Sequence, residues 1–356
     1  MTPRVSLFTA SVHVTEVTTR LADFFDAKEL RAATLGGQYA ELWAAARHSS
    51  EGGKKFRPAL VLNTYAALGG DSQDDAVAVA MAFELLHTAF LLHDDVIDGD
   101  TMRRGHPNLL GTFSAQASAR GVSARSAATW GEASAILAGD LLIQAAQAQV
   151  ARLGVGEHKR LALLDLLEEC LFVTAAGELA DVAFSTSVQI PVLSDVVSMT
   201  QWKTAHYSFQ APLQAGAILA DASADTVRGL SEFGRNVGIA FQLRDDILGV
   251  FGVEDETGKS STSDLREGKM TLLMCYALQR SDTDELASIL AHSDITAADA
   301  TRVRQLLETS GARDFIEALI TDYAQLAMAA IDSPAIPAGL RRQLEEVARK
   351  ACDRAA

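Results

Sequence analysis

The stretch from Phe83 to Pro107, FELLHTAFLLHDDVIDGDTMRRGHP, constrains the fold most strongly. An apolar helical run ends there in three carboxylates, Asp94, Asp95 and Asp98. On a helix, Asp94 and Asp98 lie one turn apart on one face, and Asp95 lies about 100° round the axis. Bare carboxylates at this spacing repel one another. Mg²⁺ removes that penalty, because it prefers one or two carboxylates together with waters and phosphate oxygens.

Two arginines, Arg103 and Arg104, follow the acidic helix end. Their planar guanidinium forks are suited to phosphate groups. Carboxylates, a metal ion and guanidinium groups together indicate a diphosphate site. The alternative interpretation is a solvated acidic helix end beside a basic turn.

Composition predicts an all-α protein without a nucleic-acid surface. The chain has 356 residues, a net charge of −15 and only 7 prolines, and 48% of its residues are hydrophobic. The negative charge argues against nucleic-acid binding, and the composition is typical of helical proteins. A second acidic segment near Asp245 can face the first only inside one folded unit. We therefore expect one domain over residues 1–356.

The cysteines and the hydropathy pattern predict a cytoplasmic protein. The 3 cysteines are far apart and form no CxxC pair, so neither a disulfide framework nor a zinc site is indicated. No apolar run reaches the ~18 residues of a membrane span. The nearest, Ala76 to Leu86, contains Glu84. We therefore expect no transmembrane segment.

A basic loop, SSEGGKKFRP at residues 49–58, precedes a predicted helix that starts near Pro58. Lys54, Lys55 and Arg57 would lie at the N-terminus of that helix, which is favourable for an anion. An ordinary solvated basic turn is the alternative. His87 lies seven positions before Asp94 on the same helix face. A lone histidine on an apolar face is more often a core residue, but this alignment favours a functional role.

The second acidic segment is FQLRDD, in which Gln242, Asp245 and Asp246 share a helix face. The charged loop after it holds Lys259, Asp264 and Lys269. Its sequence GVEDETGKS resembles a P-loop, but five residues separate the two glycines where that motif needs four. A P-loop is therefore rejected.

Other polar residues interrupt the helices between the two acidic segments. We expect Asp140 to be a buried structural residue, and Glu178 with Asp181 is open between a functional pair and a surface pair. Lys203 and Thr204 precede Pro212, which should kink their helix. Such a kink is consistent with a shaped cavity.

Five polar motifs, GGKKFRP, HDDVIDGDTMRRG, KT, FQLRDD and DLREGK, now give a recognisable pattern. In order and spacing they resemble the trans-isoprenyl diphosphate synthases of the polyprenyl synthetase family, over about residues 50 to 275. The resemblance implies a bundle of long antiparallel helices around a central cavity, usually homodimeric. It also implies Mg²⁺-dependent head-to-tail condensation of isopentenyl diphosphate with allylic diphosphates.

The resemblance implies a role for each matching residue. Asp94, Asp95 and Asp98 would hold Mg²⁺ on the allylic diphosphate, and Asp245 and Asp246 would hold a further Mg²⁺ from the opposite wall. The residues expected at isopentenyl diphosphate are Lys54, Arg57, His87 and Arg104. Those expected mostly on the allylic side are Arg103, Lys203, Thr204, Gln242, Lys259 and Lys269. The catalytic set would be the five aspartates with Arg103 and Lys203. One departure is Gly249, which stands where the family commonly closes the second motif with an aspartate.

Product length should depend on Ala89 and Phe90, one to two turns before Asp94, because in the family bulky aromatics at these positions shorten the product. Ala89 leaves one position open and Phe90 fills the other. With the YSFQAPLQAGA segment, this favours the twenty-carbon geranylgeranyl diphosphate over farnesyl or longer-chain products. The preferred allylic starter and the pathway served stay open.

Three rival interpretations fit the pattern less well. A class I terpene cyclase would have no use for Lys54, Arg57 and His87. An inactive partner subunit should have lost aspartates, and only position 249 lacks one. A purely structural bundle does not account for two acid-rich segments.

Overall fold

The computed structural model describes residues 12–252, 269–280, 284–290 and 295–352, with side chains from residue 14. Within these ranges the chain is almost entirely helical, which confirms the all-α prediction. The helices are α1 Val12–Ala33, α2 Gly37–Ser50, α3 Phe56–Ala67, α4 Gln73–Ile97, α5 Leu109–Ala119, α6 Ala124–Ala151, α7 Glu157–Ser185, α8 Leu193–Thr200, α9 Ala211–Leu219, α10 Ala224–Phe251, α11 Leu272–Leu278, α12 Asp284–Leu290, α13 Ala297–Thr309, α14 Ala312–Ile331 and α15 Ala338–Cys352.

One short hairpin follows α4. Strands β1 (Met102–Arg103) and β2 (His106–Pro107) pair antiparallel. The turn between them has left-handed backbone at Arg104 and Gly105. Strands of 2 residues are too short to show period-two alternation, so the sequence did not predict them.

Helix starts follow local capping chemistry. The Ser72 hydroxyl accepts a hydrogen bond from the Asp75 N–H at the start of α4. At α13 the Thr296 hydroxyl accepts from the Asp299 N–H, and the Asp299 carboxylate accepts from the Thr296 N–H. This reciprocal pair is a capping box. Helix α3 begins at Phe56, before the predicted start at Pro58, because the turn into it is made at Lys55.

The chain divides into two compact units, Met1–Leu167 with Ala215–Ala222, and Glu168–Gln214 with Ser223–Ala356. In the first unit, α4 packs on α3 and α6, and α5 packs on α6. Its fully buried side chains include Phe83, Leu85, Leu92 and Leu142. The single domain over residues 1–356 stays a prediction.

The second unit is organised around α10, which packs on α14 and on the segment Gln201–Gln210. Its core includes Leu243, Leu273 and Ile316. This core holds the face of α10 that lies opposite its polar residues, which leaves Asp245 and Asp246 partly exposed.

Residues Gln201–Gln210 form a π-helix between α8 and α9. In place of the predicted kink at Pro212, the structure has a π-helix whose wide turns end just before the proline. The Ala211 N–H donates to the His206 carbonyl oxygen, five residues back. Pro212 has no N–H to donate to the preceding turn, and π-helical turns are often found at functional sites. Lys203 and Thr204 lie on this segment, called the π segment below.

Helix α4 is long and apolar enough to cross a membrane by length and composition alone. The absence of a transmembrane segment stays a prediction, although one 18-residue window of α4 meets this criterion. Most of that window is buried inside the protein, and a buried core helix meets the same criterion.

Candidate active site

Helix α4 presents its aspartates to two different environments. Asp94 and Asp98 are partly exposed, and carboxylate oxygens of the two lie within 4.8 Å of one another. Asp95, a quarter turn round, is only 2% exposed. The predicted pairing of Asp94 and Asp98 on one face is therefore present, and two such carboxylates can share one divalent cation.

Asp95 forms an ion pair with Arg103 and is not exposed to solvent. Arg103 Nε and Nη2 lie 2.9 and 2.6 Å from Asp95 Oδ1, and Nη2 lies 3.4 Å from Asp94 Oδ2. Burial raises the pKa of Asp95 to about 6, and the Arg103 guanidinium opposes this rise. The sequence could not distinguish Asp95 from its neighbours, because the hairpin that places Arg103 against it was not predicted.

The basic loop adopts left-handed backbone at Gly52, Gly53 and Lys55. Lys54 is exposed, whereas Arg57 is buried, with its guanidinium 4.5 Å from the centre of the Phe56 ring. These two predicted ligands therefore lie three residues apart, Lys54 on the loop and Arg57 in the first turn of α3, and they differ in their access to solvent.

Lys55 does not act as a third surface cation of this loop. Its Nζ lies 2.7 Å from Glu84 Oε1 on α4, and both side chains are nearly buried. Sequence reasoning missed Glu84 as a partner, although a carboxylate inside the apolar run of α4 was the signal that could have found it.

His87 lies in a cationic environment within the first unit. Burial lowers its pKa well below the usual value, and the charges of Arg57, Lys55, Arg103 and Arg104 lower it further. The imidazole is therefore neutral near pH 7. Two predicted ligands, Arg57 and Arg104, are thus electrostatic neighbours of a third, His87.

Arg104 lies on the hairpin turn and contacts the basic loop. Its Nη1 lies 3.4 Å from the Glu51 carbonyl oxygen, and a Cβ added at Gly53 would lie 3.4 Å from Nη2. The hairpin and the basic loop therefore bring two cationic segments together, as the sequence prediction of a shared diphosphate site requires.

Asp140 is exposed, so the expectation that it is buried is wrong, whereas its structural role stays a prediction. Its carboxylate lies 3.5 Å from Nε2 of His93, which is also 3.3 Å from the Ile136 carbonyl oxygen. A Cβ added at Gly139 would lie 2.2 Å from His93 Nε2. The missing side chain at Gly139 therefore leaves room for His93, the residue before Asp94.

In the second unit, Lys203 is paired with two carboxylates on α7. Lys203 Nζ lies 3.0 Å from Glu178 Oε2 and 2.6 Å from Asp181 Oδ2. Asp181 is only 8% exposed, so the interpretation of Glu178 and Asp181 as a plain surface pair is wrong. Gly177 makes this contact possible, because a Cβ there would lie 2.3 Å from the Lys203 amide nitrogen.

The polar face of α10 carries the second acidic segment as predicted. Gln242 Nε2 donates to Asp246 Oδ1 at 2.9 Å, and Asp245 is partly exposed beside them. Gly249, which lacks the carboxylate of the family pattern, is one turn further on and partly exposed. Thr204, on the π segment of the same unit, is also partly exposed.

The loop after α10 is described only at its end. Lys259 and Asp264 lie outside the described residues. Lys269 is partly buried, and its carbonyl oxygen accepts a hydrogen bond from the Thr271 N–H at 3.0 Å. The prediction that the loop lysines bind diphosphate stays a prediction.

The two positions assigned to product length differ in exposure. Ala89 has no accessible surface, so the open position that the sequence suggested there is closed by neighbouring atoms. Phe90 is partly exposed and lies one turn before Asp94. Of the two, Phe90 is the side chain able to contact a bound molecule.

The all-α fold brings paired aspartates and clustered cations to helix ends, an arrangement suited to binding diphosphates. The family model for polyprenyl synthetase matches residues 40–309, and the chain belongs to that family. The family condenses isopentenyl diphosphate with allylic diphosphates and is Mg²⁺-dependent. This chain is a trans-prenyltransferase.

Curated relatives agree with this assignment. The chain is 36% identical to a short chain isoprenyl diphosphate synthase of Methanothermobacter thermautotrophicus over 78% of this chain and 79% of that protein. It is 32% identical to a geranylgeranyl diphosphate synthase of Mycobacterium tuberculosis over 90% of this chain and 87% of that protein.

Among solved structures, one similar chain is a geranylgeranyl pyrophosphate synthase from Corynebacterium glutamicum, complexed with isoprenyl diphosphate and magnesium. The TM-score is 0.89 at 29% identity, and the match covers 96% of this chain and 99% of the other.

Proposed function

We propose that this enzyme makes the twenty-carbon geranylgeranyl diphosphate from isopentenyl diphosphate and an allylic diphosphate. The observation that carries the proposal is the pair Asp94 and Asp98 at the end of the helix that also bears His87. Relatives named geranylgeranyl diphosphate synthase in both bacteria and archaea support the product length.

Mg²⁺ fits the residues present in each unit. The donors are carboxylate oxygens, which Mg²⁺ prefers, and Asp94 and Asp98 have accessible surface and oxygens close together. In the second unit, Asp245 and Asp246 are the proposed ligands. When bound, Mg²⁺ neutralises charge on the leaving diphosphate. Asp95, the third ligand predicted for the first motif, holds Arg103 at the end of α4, and its binding of Mg²⁺ stays a prediction.

The cations divide between the two substrates. Lys54, Arg57 and Arg104 would bind isopentenyl diphosphate, and neutral His87 would donate a hydrogen bond to it. The side chains proposed for the allylic diphosphate are Arg103, Lys203, Thr204, Gln242, Lys259 and Lys269. At an effective dielectric of ~20, one unit-charge pair at about 4 Å contributes about 4 kcal/mol, so several pairs lower the ionisation barrier appreciably.

The reaction then follows from charge separation. The bond between allylic C1 and the diphosphate oxygen breaks, and its electron pair leaves with the diphosphate. The double bond of isopentenyl diphosphate attacks the cation, and the departing diphosphate accepts the proton that is lost. Arg103 and Lys203 stabilise the charge that develops on the leaving group.

Product length would be limited by Phe90, since it is the partly exposed side chain one turn before Asp94. Ala89 acts only indirectly, because it is fully buried. A larger residue there would overpack the helix at a cost of about 1–3 kcal/mol. Phe90 is therefore the informative position.

A homodimer is the proposed assembly. In the first unit, α6 exposes Ile136 and Leu137; in the second, α7 exposes Phe172 and Leu179, which are 71% and 72% exposed. Large apolar side chains repeated on one helix at a spacing of two turns are typical of a contact surface. We also propose that the protein is located in the cytoplasm.

Substituting one aspartate of each motif tests the metal proposal. We expect Asp94→Ala and Asp245→Ala each to lower kcat by about 10²-fold or more, since each removes charge stabilisation in the transition state. Asp74→Ala, at the exposed start of the same helix α4, is the matched control and should keep normal turnover. Near-normal turnover in Asp94→Ala with an intact fold would refute the assignment.

A further inference from the structure

The ion pair between Lys55 and Glu84 is not used by the proposed reaction. Lys55 Nζ lies 2.7 Å from Glu84 Oε1, with side-chain exposures of 10% and 7%. The same ammonium donates to the Ser50 carbonyl oxygen at the end of α2. Because the backbone of Lys55 is also the N-cap of α3, this one residue connects α2, α3 and α4.

Such a pair is a poor source of stability. Removing two charges from water costs several kcal/mol per ion, and a well-packed apolar pair of similar size is often as stable or more so. A buried ion pair between Lys55 and Glu84 therefore points to a requirement for one particular geometry. That geometry is the conformation of the loop on which Lys55 lies.

The loop between α2 and α3 is conformationally demanding. Lys55 has φ 48°, which is unusual for a residue with a side chain, and Gly52 and Gly53 have φ 71° and 69°. Without an anchor, the glycines would allow the loop many other conformations. The bond to Glu84 fixes the loop on α4, one turn before His87.

The anchored loop and the first turn of α3 carry two cations, Lys55 and Arg57, whose charges act on His87. Lys54 and Arg57 flank Lys55, and both Lys55 and Arg57 lower the pKa of His87 through their charge. The loop that Glu84 anchors therefore carries charges that act on the imidazole.

We propose that Glu84 and Lys55 are a positioning pair that holds residues 51–57 in the conformation that binds the diphosphate of isopentenyl diphosphate. This inference rests on the proposed function, because it deepens the isopentenyl diphosphate site. Neither residue touches the reacting atoms.

Electrostatics and positioning predict opposite effects for Glu84→Gln. If the carboxylate only repels the substrate, its neutralisation should tighten binding of isopentenyl diphosphate. If it holds the loop, we expect the KM for isopentenyl diphosphate to rise about 10-fold, a loss of about 1.4 kcal/mol in binding. The KM for the allylic diphosphate should change less than about 2-fold, as expected for an effect confined to one substrate.

The double variant Glu84→Leu/Lys55→Met separates positioning from stability. An apolar pair should restore the melting temperature to near that of the wild type. Positioning predicts that the raised KM for isopentenyl diphosphate persists, whereas a purely structural role predicts that it recovers with the melting temperature. Lys55→Arg, which keeps the ion pair, should have the wild-type KM for isopentenyl diphosphate.

Lys159→Met is the control, because it removes another ion pair of the first unit, Lys159 with Asp221, at 2.8 Å. Its KM should match the wild type. Calorimetric binding of isopentenyl diphosphate to wild type and Glu84→Gln gives a readout that does not need turnover. Absence of turnover in the wild type with weaker binding in the variant would refute the proposed function alone. An unchanged or lowered Kd and KM in Glu84→Gln would overturn the positioning pair.

Discussion

At the scale of single residues, the three aspartates of α4 are alike in the sequence but not in the structure. Asp94 and Asp98 are partly exposed and close together, whereas Asp95 is buried against Arg103. The spacing predicted the first result, because helix geometry alone determines which residues share a face. It could not predict the second, because that depends on where a hairpin eight residues later places a guanidinium group.

His87 gives a prediction about pH. Burial and four neighbouring cations lower its pKa well below the ordinary 6.5. Below that ordinary value the unfolded chain binds a proton that the folded protein does not, so this residue makes the folded state less stable as the pH falls through about 6.5. It contributes no such loss at higher pH, where the imidazole is neutral in both states.

An NMR titration of ring-labelled histidine checks this directly, with His87→Gln to assign the signal. We expect the His87 signal to stay in its neutral position when the pH is lowered to about 6. A midpoint near 6.5 would contradict the cationic environment described for this residue.

At the scale of helices, close packing through glycine positions the π segment. A Cβ added at Gly238 on α10 would lie 2.6 Å from Ala205 Cβ, and one added at Gly234 would lie 2.5 Å from Gln210 Cα. Together with Gly177 on α7, these glycines let two helices approach the backbone around Lys203. The wide turns were not predictable from the sequence, because Pro212 indicates an irregular helix without specifying its form.

Gly238→Ala tests this packing. We expect it to lower the free energy of unfolding by about 1–3 kcal/mol, because the new methyl group meets backbone that cannot move freely. Gly339→Ala, in α15, has open space around the added Cβ. That control should stabilise by about 0.5–1 kcal/mol through its helix propensity. The measurement is the melting temperature of each variant relative to the wild type. Equal changes in melting temperature for Gly238→Ala and Gly339→Ala would contradict the close approach of Gly238 to Ala205.

At the scale of the whole molecule, the all-α class and the polar motifs were predictable, because helical periodicity and residue chemistry are local properties. The partners of buried charges were not. Glu84 was visible only as an interruption of an apolar run, and Asp181 only as one member of an i, i+3 pair. Each of these carboxylates forms an ion pair with a lysine that is distant in sequence and is brought to it by tertiary packing.

The proposed homodimer has a direct test in solution. Light scattering should give a mass near twice the 37.9 kDa of one chain. Phe172→Asp should shift the protein toward the monomer, because it places a charge on the exposed face of α7. Leu30→Asp, at a leucine of α1 that is 77% exposed, should leave the mass unchanged. A monomeric wild type would refute the dimer.

Product analysis shows whether this chain elongates an allylic diphosphate to twenty carbons. The purified protein would be incubated with Mg²⁺, labelled isopentenyl diphosphate and, separately, dimethylallyl, geranyl or farnesyl diphosphate. We expect geranylgeranyl diphosphate from the wild type and longer chains from Phe90→Ala, because truncation removes the side chain that limits the growing tail. A shorter or longer wild-type product would contradict the length, and no elongation from any starter would contradict the function itself.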